Sequence, residues 1–247
     1  MTLGSALGLG LVLFFLGLIL IFAFFGRNRP APELRAIPAF DRLKKAIGRA
    51  VEAGNRLHVS IGSGEITGTQ AAVALVGLTI LNRIARDTTI SDRPPVATSG
   101  DGSLAILSQD VMRGAARQIG AEYSPLSGRL TGVTPFSYAA GAMTVVHDDE
   151  VGANILIGSF GAEAALINEA GERTGSMTLA GTDSLPGQAV LYATAQEPLI
   201  GEETFAGGAY LDAGPLHTAS LRAQDWLRWL IIASLLLGAL AKFFGFI

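Results

Sequence analysis

The chain has 247 residues, 49% of them hydrophobic and only 16% charged, against roughly 25% charged in soluble domains. It holds no cysteine, three histidines, and 18 basic against 21 acidic residues, for a formal net charge of -3. A disulfide scaffold, a cysteine nucleophile, a thiolate-bound metal or iron-sulfur centre and a globally basic nucleic-acid binder are excluded, and a freely soluble protein is disfavoured.

Residues 1–26 carry no charge and are dominated by Leu, Phe, Ile and Val, more than the roughly 20 apolar residues that cross a bilayer core. They are expected to form a transmembrane helix. The alternative, a cleaved signal peptide, fits badly: MTLGSALG has no basic start, and IFAFFG is not a small-x-small cleavage site. Gly4 and Gly8 make a small-xxx-small pair that would let another helix approach. Residues 27–39 open with RNRPAPELRAIP, a connector that proline keeps extended.

The domain between the spans is expected over residues 40–221. Phe40, Leu43, Ile47 and Val51 recur at helical spacing with Arg42, Lys44, Lys45 and Arg49 between them, and Gly54 and Asn55 end the helix. Eight of the 18 basic residues lie between Arg27 and Arg56, whereas residues 118–221 hold two basic and twelve acidic ones. The basic stretch reads either as a collar toward anionic headgroups or as a solvated helix face.

Short apolar runs then alternate with helical stretches. LHVSI (57–61), PPVATS (94–99), AEYS (121–124, weak), ANILIG (153–158) and SMTLAG (176–181) read as strands. Helices are expected over 70–86, over the face Leu104, Leu107, Val111, Ala115 and Ile119, and over 135–147, 162–170, 188–195 and 202–211. The alternation predicts an α/β domain with an open, largely parallel sheet of about five strands and helices on both faces, a Rossmann-like arrangement. The 70–86 helix is apolar almost all round and so needs cover on every side, from other helices, a neighbouring subunit or the membrane surface. Small residues such as Gly114, Gly141, Gly207 and Gly208 would allow close packing between subunits or within one.

Residues 226–247, WLRWLIIASLLLGALAKFFGFI, are expected to form a second span. Arg228 and Lys242 would snorkel to opposite surfaces, with Trp226 and Trp229 as an interfacial anchor; a re-entrant or interfacial helix is the alternative. Arg27, Arg29, Arg35, Arg222 and Arg228 flank the inner ends of both spans, and only Lys242 lies beyond. The positive-inside bias therefore predicts a multi-pass protein of a bacterial cytoplasmic (inner) membrane, its central domain cytoplasmic and both termini outside. Apart from Asp225, the spans hold no His, Asp or Glu, so transport or conduction lacks its usual chemistry.

Four strand ends lead into helices through small polar residues: IGSGEITGTQ, TSGDGS, IGSFGAE and AGTDSLPG. Ligands of open α/β sheets bind beyond the carboxyl ends of strands. If these strands are parallel neighbours, Gly62, Ser63, Gly64, Ser99, Asp101, Ser103, Gly158, Ser159, Asp183 and Ser184 would line one ligand-binding rim. The same residue types also serve tight turns and helix caps. Gly62, Gly64 and Gly68 give G-x-G-x-x-x-G instead of the dinucleotide fingerprint, and PPVATS ends without a ribose-binding acid. There is no phosphate-loop motif, no G-x-S-x-G, no H-E-x-x-H, and no lysine between Lys45 and Lys242.

His147, Asp148, Asp149 and Glu150 suggest a metal box, but four consecutive residues cannot converge from a regular element, and a solvated acidic loop is preferred. His58 reads as a hydrogen-bonded sheet residue, and His217 has no obvious partner. Ser63, Ser99 or Ser159 with His58 do not add up to a triad from sequence. No catalytic residue, metal ligand or cofactor is assigned.

The segments IPAFDRLKKAIGRAVEAGNRLHVSIGSGEITG and PPVATSGDGSLAILSQDVMRGAARQIGAEY, between two spans, resemble an uncharacterised bacterial membrane-protein family known only as a domain of unknown function. The resemblance covers most of the chain; it implies a membrane location and no activity. The expectation is a non-enzymatic scaffold whose α/β domain associates with itself or with other membrane-protein subunits. Membrane lipid is an expected partner, and nucleic acid is not. The alternative is a membrane-tethered sensor or enzyme that binds a nucleotide or another small anion at the Gly/Ser-rich strand ends.

Overall fold

A computed structural model describes residues 3–26, 34–88 and 93–245. Residues 27–33, most of the expected connector, lie outside the described residues, as do Arg27 and Arg29. The chain divides into two compact units, Ala36–Leu211 and the pair Met1–Arg35 with Asp212–Ile247.

The second unit contains two long apolar helices, α1 (Leu3–Gly26) and, at the far end of the chain, a helix over Pro215–Phe243. Both are long and apolar enough to cross a membrane, with mean hydropathy 2.9 and 1.6 over their 18-residue apolar stretches. They pack against each other. The later helix starts at Pro215, well before Trp226, because proline suits the first helical position after Gly214.

The larger unit runs α2 (Pro38–Glu52), β1 (Arg56–Gly62), α3 (Ala71–Thr88), β2 (Val96–Ser99), α4 (Gly102–Ile119), β3 (Gly128–Leu130), α5 (Pro135–Asp148), β4 (Val151–Ser159), α6 (Ala164–Arg173), β5 (Met177–Gly181), α7 (Leu185–Thr194), β6 (Glu197–Leu199) and the single turn α8 (Gly207–Tyr210). The helix over Pro215–Phe243 is then α9. The six strands lie in the order β3-β2-β1-β4-β5-β6, and every neighbouring pair is parallel. The α/β class, the parallel open sheet and the helices on both faces are as the sequence predicts, with one strand more than expected.

Because both faces are covered, β1 and β4 are buried almost throughout. On one face Leu57, Val59, Ile61, Ile155 and Ile157 join Phe40 and Leu43 of α2 and Ile80 and Leu81 of α3. On the other, Leu156 and Ala180 pack under Tyr138, Ala142, Ile167 and Leu191 of α5, α6 and α7. The apolar helix α3 is covered by β1 and β4 beneath, α4 on one flank, and α8 with the preceding 3-10 turn Gly201–Ala206. The domain's own elements thus cover most of α3, with Leu75 left 52% exposed.

Three expectations are corrected. AEYS (121–124) is irregular: the Tyr123 ring is spent on Arg113, whose guanidinium lies 5.3 Å from the ring centroid. The third strand is instead GRL, paired to β2 through Ala97 and Gly128. β6 is the unforeseen strand, three residues around Pro198, which an edge tolerates because no inner neighbour needs that N–H. The helix expected over 202–211 is a 3-10 turn followed by α8.

The first and last residues of this domain meet. Ile37 and Leu211 belong to one core cluster with Phe40, and the Phe40 and Tyr210 rings stack at 5.0 Å and 15°. Phe40 is 1% exposed, so Phe40→Ala both opens a core cavity and releases the two ends, at about 3–5 kcal/mol. A correspondingly lower denaturant midpoint for the full-length protein checks this.

Candidate functional site

The chain reverses its direction of strand addition between β1 and β4, since β1 leads to β2 and β3 on one side and β4 to β5 and β6 on the other. The crevice beyond such a reversal is where open α/β sheets bind ligands. The candidate residues stand around it in sheet order: Ser99 ends β2, Gly62 ends β1 and leads to Ser63 and Gly64, Gly158 and Ser159 end β4, and Asp183 and Ser184 follow β5. Asp101 and Ser103 lie at the start of α4.

The rim is stitched by its own backbone. The Ser63 N–H donates to the Ser159 carbonyl at 3.2 Å, and the Gly100 N–H to the Gly62 carbonyl at 2.9 Å. On the β5 side, the Phe160 N–H donates to the Thr182 hydroxyl at 3.0 Å. Gly62 has φ +78, and a side chain there would meet the Ser159 backbone. A Cβ on Gly158 would overlap the Ile61 carbonyl, and one on Gly64 would come within 2.9 Å of the Ser159 Cβ. Gly62 and Gly64 of the fingerprint-like run, with Gly158 opposite, therefore bring β1 and β4 together.

The starts of α4, α5 and α7 are capped by side chains, whereas the residue preceding α6, Glu163, makes no cap bond. Asp101 accepts from the Ser103 and Leu104 N–H groups, each at 3.0 Å, and also from the Ser103 hydroxyl. Those bonds, the Ser103 hydroxyl first, hold the Asp101 carboxyl below its usual pKa. Thr134 forms a capping box with Ser137 on α5, and Ser184 accepts from the Gly187 N–H at 3.3 Å on α7. Ahead of α6, Glu163 accepts from the Gly161 N–H at 2.8 Å. Ser99 and Ser159 are buried, Asp183 and Ser184 half-buried, and Ser103 exposed.

Beneath the rim lies a buried polar chain that sequence reading caught only at His58. The Asn154 amide N–H points to the Ile167 carbonyl at 3.5 Å, so its oxygen faces His58 and accepts from Nδ1 at 2.7 Å. Nε2 is then unprotonated and accepts from the Thr98 hydroxyl at 2.8 Å. The Tyr138 hydroxyl bonds Ser60 and Thr98 and accepts from the Gly62 N–H at 3.3 Å. His58, Ser60, Asn154 and Tyr138 are 0% exposed and Thr98 is 1% exposed. Thr98, His58 and Asn154 thus share the connectivity of a nucleophile, a base and its orienting group, enclosed under the Tyr138 ring. His58 and Ser60 alternate with the apolar residues of β1, a signal legible in sequence; Tyr138 arrives from another element and was not.

The acidic turn lies at the opposite, amino-terminal end of the sheet. Asp149 pairs with Arg129 at 2.9 Å and Arg56 at 3.3 Å, and Glu150, at φ +53, pairs with Arg93 at 2.5 Å. His147 turns to Asp148 at 3.0 Å. The stretch ties the turn before β4 to β1 and β3 through arginines; among the described residues no three His, Asp or Glu side chains gather around a common point.

A family model described as Domain of unknown function (DUF6754) matches residues 4–247. The chain belongs to this family. No match was found among curated proteins or among solved structures.

Burial pushes His58 down to about 4, against about 6.5 for a free histidine. The unfolded chain thus takes up a proton below pH 6.5 that the folded protein refuses, and stability falls as the pH drops toward 4. Between pH 6.5 and 5 this is worth about 2 kcal/mol. Unfolding midpoints at pH 7.5 and pH 5 check it, and His58→Gln removes this part of the slope.

Proposed function

We propose that this member of the family is a non-enzymatic assembly subunit of a bacterial inner membrane, whose α/β domain self-associates through the carboxyl-terminal rim of its sheet. The observation that carries this reading is the contrast along that rim. The starts of α4, α5 and α7 are closed by their own side-chain caps and the turns after β1 and β2 by backbone bonds, yet large apolar side chains stand out beside them. Ile106 after β2 is 68% exposed, Val133 and Phe136 after β3 are 75% and 65%, and Leu185 after β5 is 77%. Scattered exposed leucines need no explanation; Val133 and Phe136 at the start of α5 and Leu185 at the start of α7, helices of one sheet face, support a contact surface there. The arginines at the inner ends of the spans support a cytoplasmic domain and external termini.

The second reading, a small-anion site at the same rim, is favoured by the strand order, whose reversal between β1 and β4 is the usual ligand position.

Native mass spectrometry of the full-length protein in mild detergent decides the first reading. A homo-oligomer is expected, and Phe136→Glu, which would bury a charge in the contact, weakens it by about tenfold or more; a wild type that stays monomeric overturns it. For the second, Asp101→Ala costs about 1 kcal/mol of helix capping and is expected to leave thermal shifts with nucleotides and phosphorylated metabolites unchanged from wild type. A ligand shift present in wild type and lost in the variant would establish the anion site instead.

A further inference from the structure

The two long helices enclose a half-open cavity of about 580 Å³ between the last turns of α1 and the first half of α9. That volume lies in the range of small-molecule sites. From α1 it is walled by Ile21, Phe22 and Phe25, and from α9 by Trp226 and Trp229, with Arg222 and Asp225 completing the lining. Arg222, Asp225 and Trp226 are spaced i, i+3 and i+4, so the two charges and the indole stand on one helical face.

The depth of this cavity is set by both helices independently. α1 is apolar through Phe25 and the sequence turns basic at Arg27, while α9 is charged through Arg228 and then apolar to Ala241. The cavity therefore spans the level where the hydrocarbon of each span gives way to charged sequence, the layer in which tryptophan concentrates. An occupant must be apolar toward Ile21 and Trp229 and polar toward Arg222 and Asp225.

We infer that this cavity is a binding site for a phospholipid with a primary-amine headgroup of the ethanolamine type. The lipid phosphate is bound by the Arg222 guanidinium, whose planar fork matches two phosphate oxygens. The ammonium donates to Asp225. That carboxylate already accepts from Arg228 at 3.2 Å, and two oxygens leave it acceptor capacity for a second donor. The indole faces add cation–π attraction for the same ammonium. The acyl chains follow the apolar wall of Phe25 and Ile21 into the bilayer. A choline headgroup has no N–H to give Asp225, and a glycerol headgroup brings no cation to it, which is the basis of selection. The site rests on the two spans alone and stands or falls separately from self-association of the α/β domain.

Trp226 and Trp229 are the chain's only two tryptophans, so all of its indole fluorescence reports on this cavity. Full-length protein, delipidated in detergent, is titrated with phosphatidylethanolamine, phosphatidylcholine and phosphatidylglycerol carrying identical brominated acyl chains. Phosphatidylethanolamine is expected to quench at about tenfold lower concentration than the other two, one charge-assisted contact in three being unique to it. Arg222→Gln is expected to raise its half-quenching concentration about tenfold or more, and Arg222→Lys, which keeps the charge without the fork, by less. Asp225→Asn is expected to erase the preference over phosphatidylcholine while quenching persists. Equal quenching by all three lipids, a preference for phosphatidylglycerol, or variants of unchanged helicity that bind like wild type would overturn the assignment.

Discussion

The close approach of β1 and β4 is the contact on which the rest of the α/β domain depends. These are the central strands, and the chain adds strands outward from them in both directions. Gly158 lies directly against the Ile61 carbonyl and Gly62 against the Ser159 backbone, so any side chain at these positions would part the middle of the sheet. Both strands are buried on two faces, and a displacement between them would be felt by the α2–α3 layer and the α5–α7 layer alike.

The same contact determines what the rim can offer. The turns after β1 and β2 donate to neighbouring strand ends, and aspartate, threonine and serine side chains occupy the starts of α4, α5 and α7. Under them, Tyr138 and His58 tie β1, β2, β4 and α5 through a hydrogen-bonded chain with no solvent exposure to speak of. A satisfied network of this kind specifies one arrangement of the core, and its histidine makes that arrangement sensitive to acid.

A second constraint is topological. A domain that interrupts a pair of packed helices must begin and end in one place. The Phe40–Tyr210 stack, with Ile37 and Leu211 beside it, provides this within the domain. The polarised charge of the chain is partly consumed in the same region, since Arg42 of α2 pairs with Glu197 of β6 at 2.5 Å. The basic stretch is accordingly in part internal ion pairing, Arg56 joining it through Asp149.

Much of this was legible in the order of residues. Charge-free and charge-poor apolar runs at the two ends are long enough to cross a membrane as helices, so these two helices needed no tertiary information. The alternation of β-branched runs with helical periodicity was enough for a parallel α/β domain, and strong strands such as LHVSI and ANILIG declared themselves because they are buried on both faces. GRL and EPL did not, since three residues carry no periodicity, and their strand character comes from the neighbour that each pairs with. The candidate rim residues were found because turns and caps use a narrow set of residue types, but that same narrowness hides whether a serine or aspartate faces a ligand or its own helix. Only the folded chain decided that Asp101 caps α4, that Gly62 and Gly158 serve backbone contact, and that Tyr138 reaches beneath the rim from a distant helix. Local chemistry is written in neighbouring residues, whereas the partner of a side chain depends on which strands the fold makes adjacent.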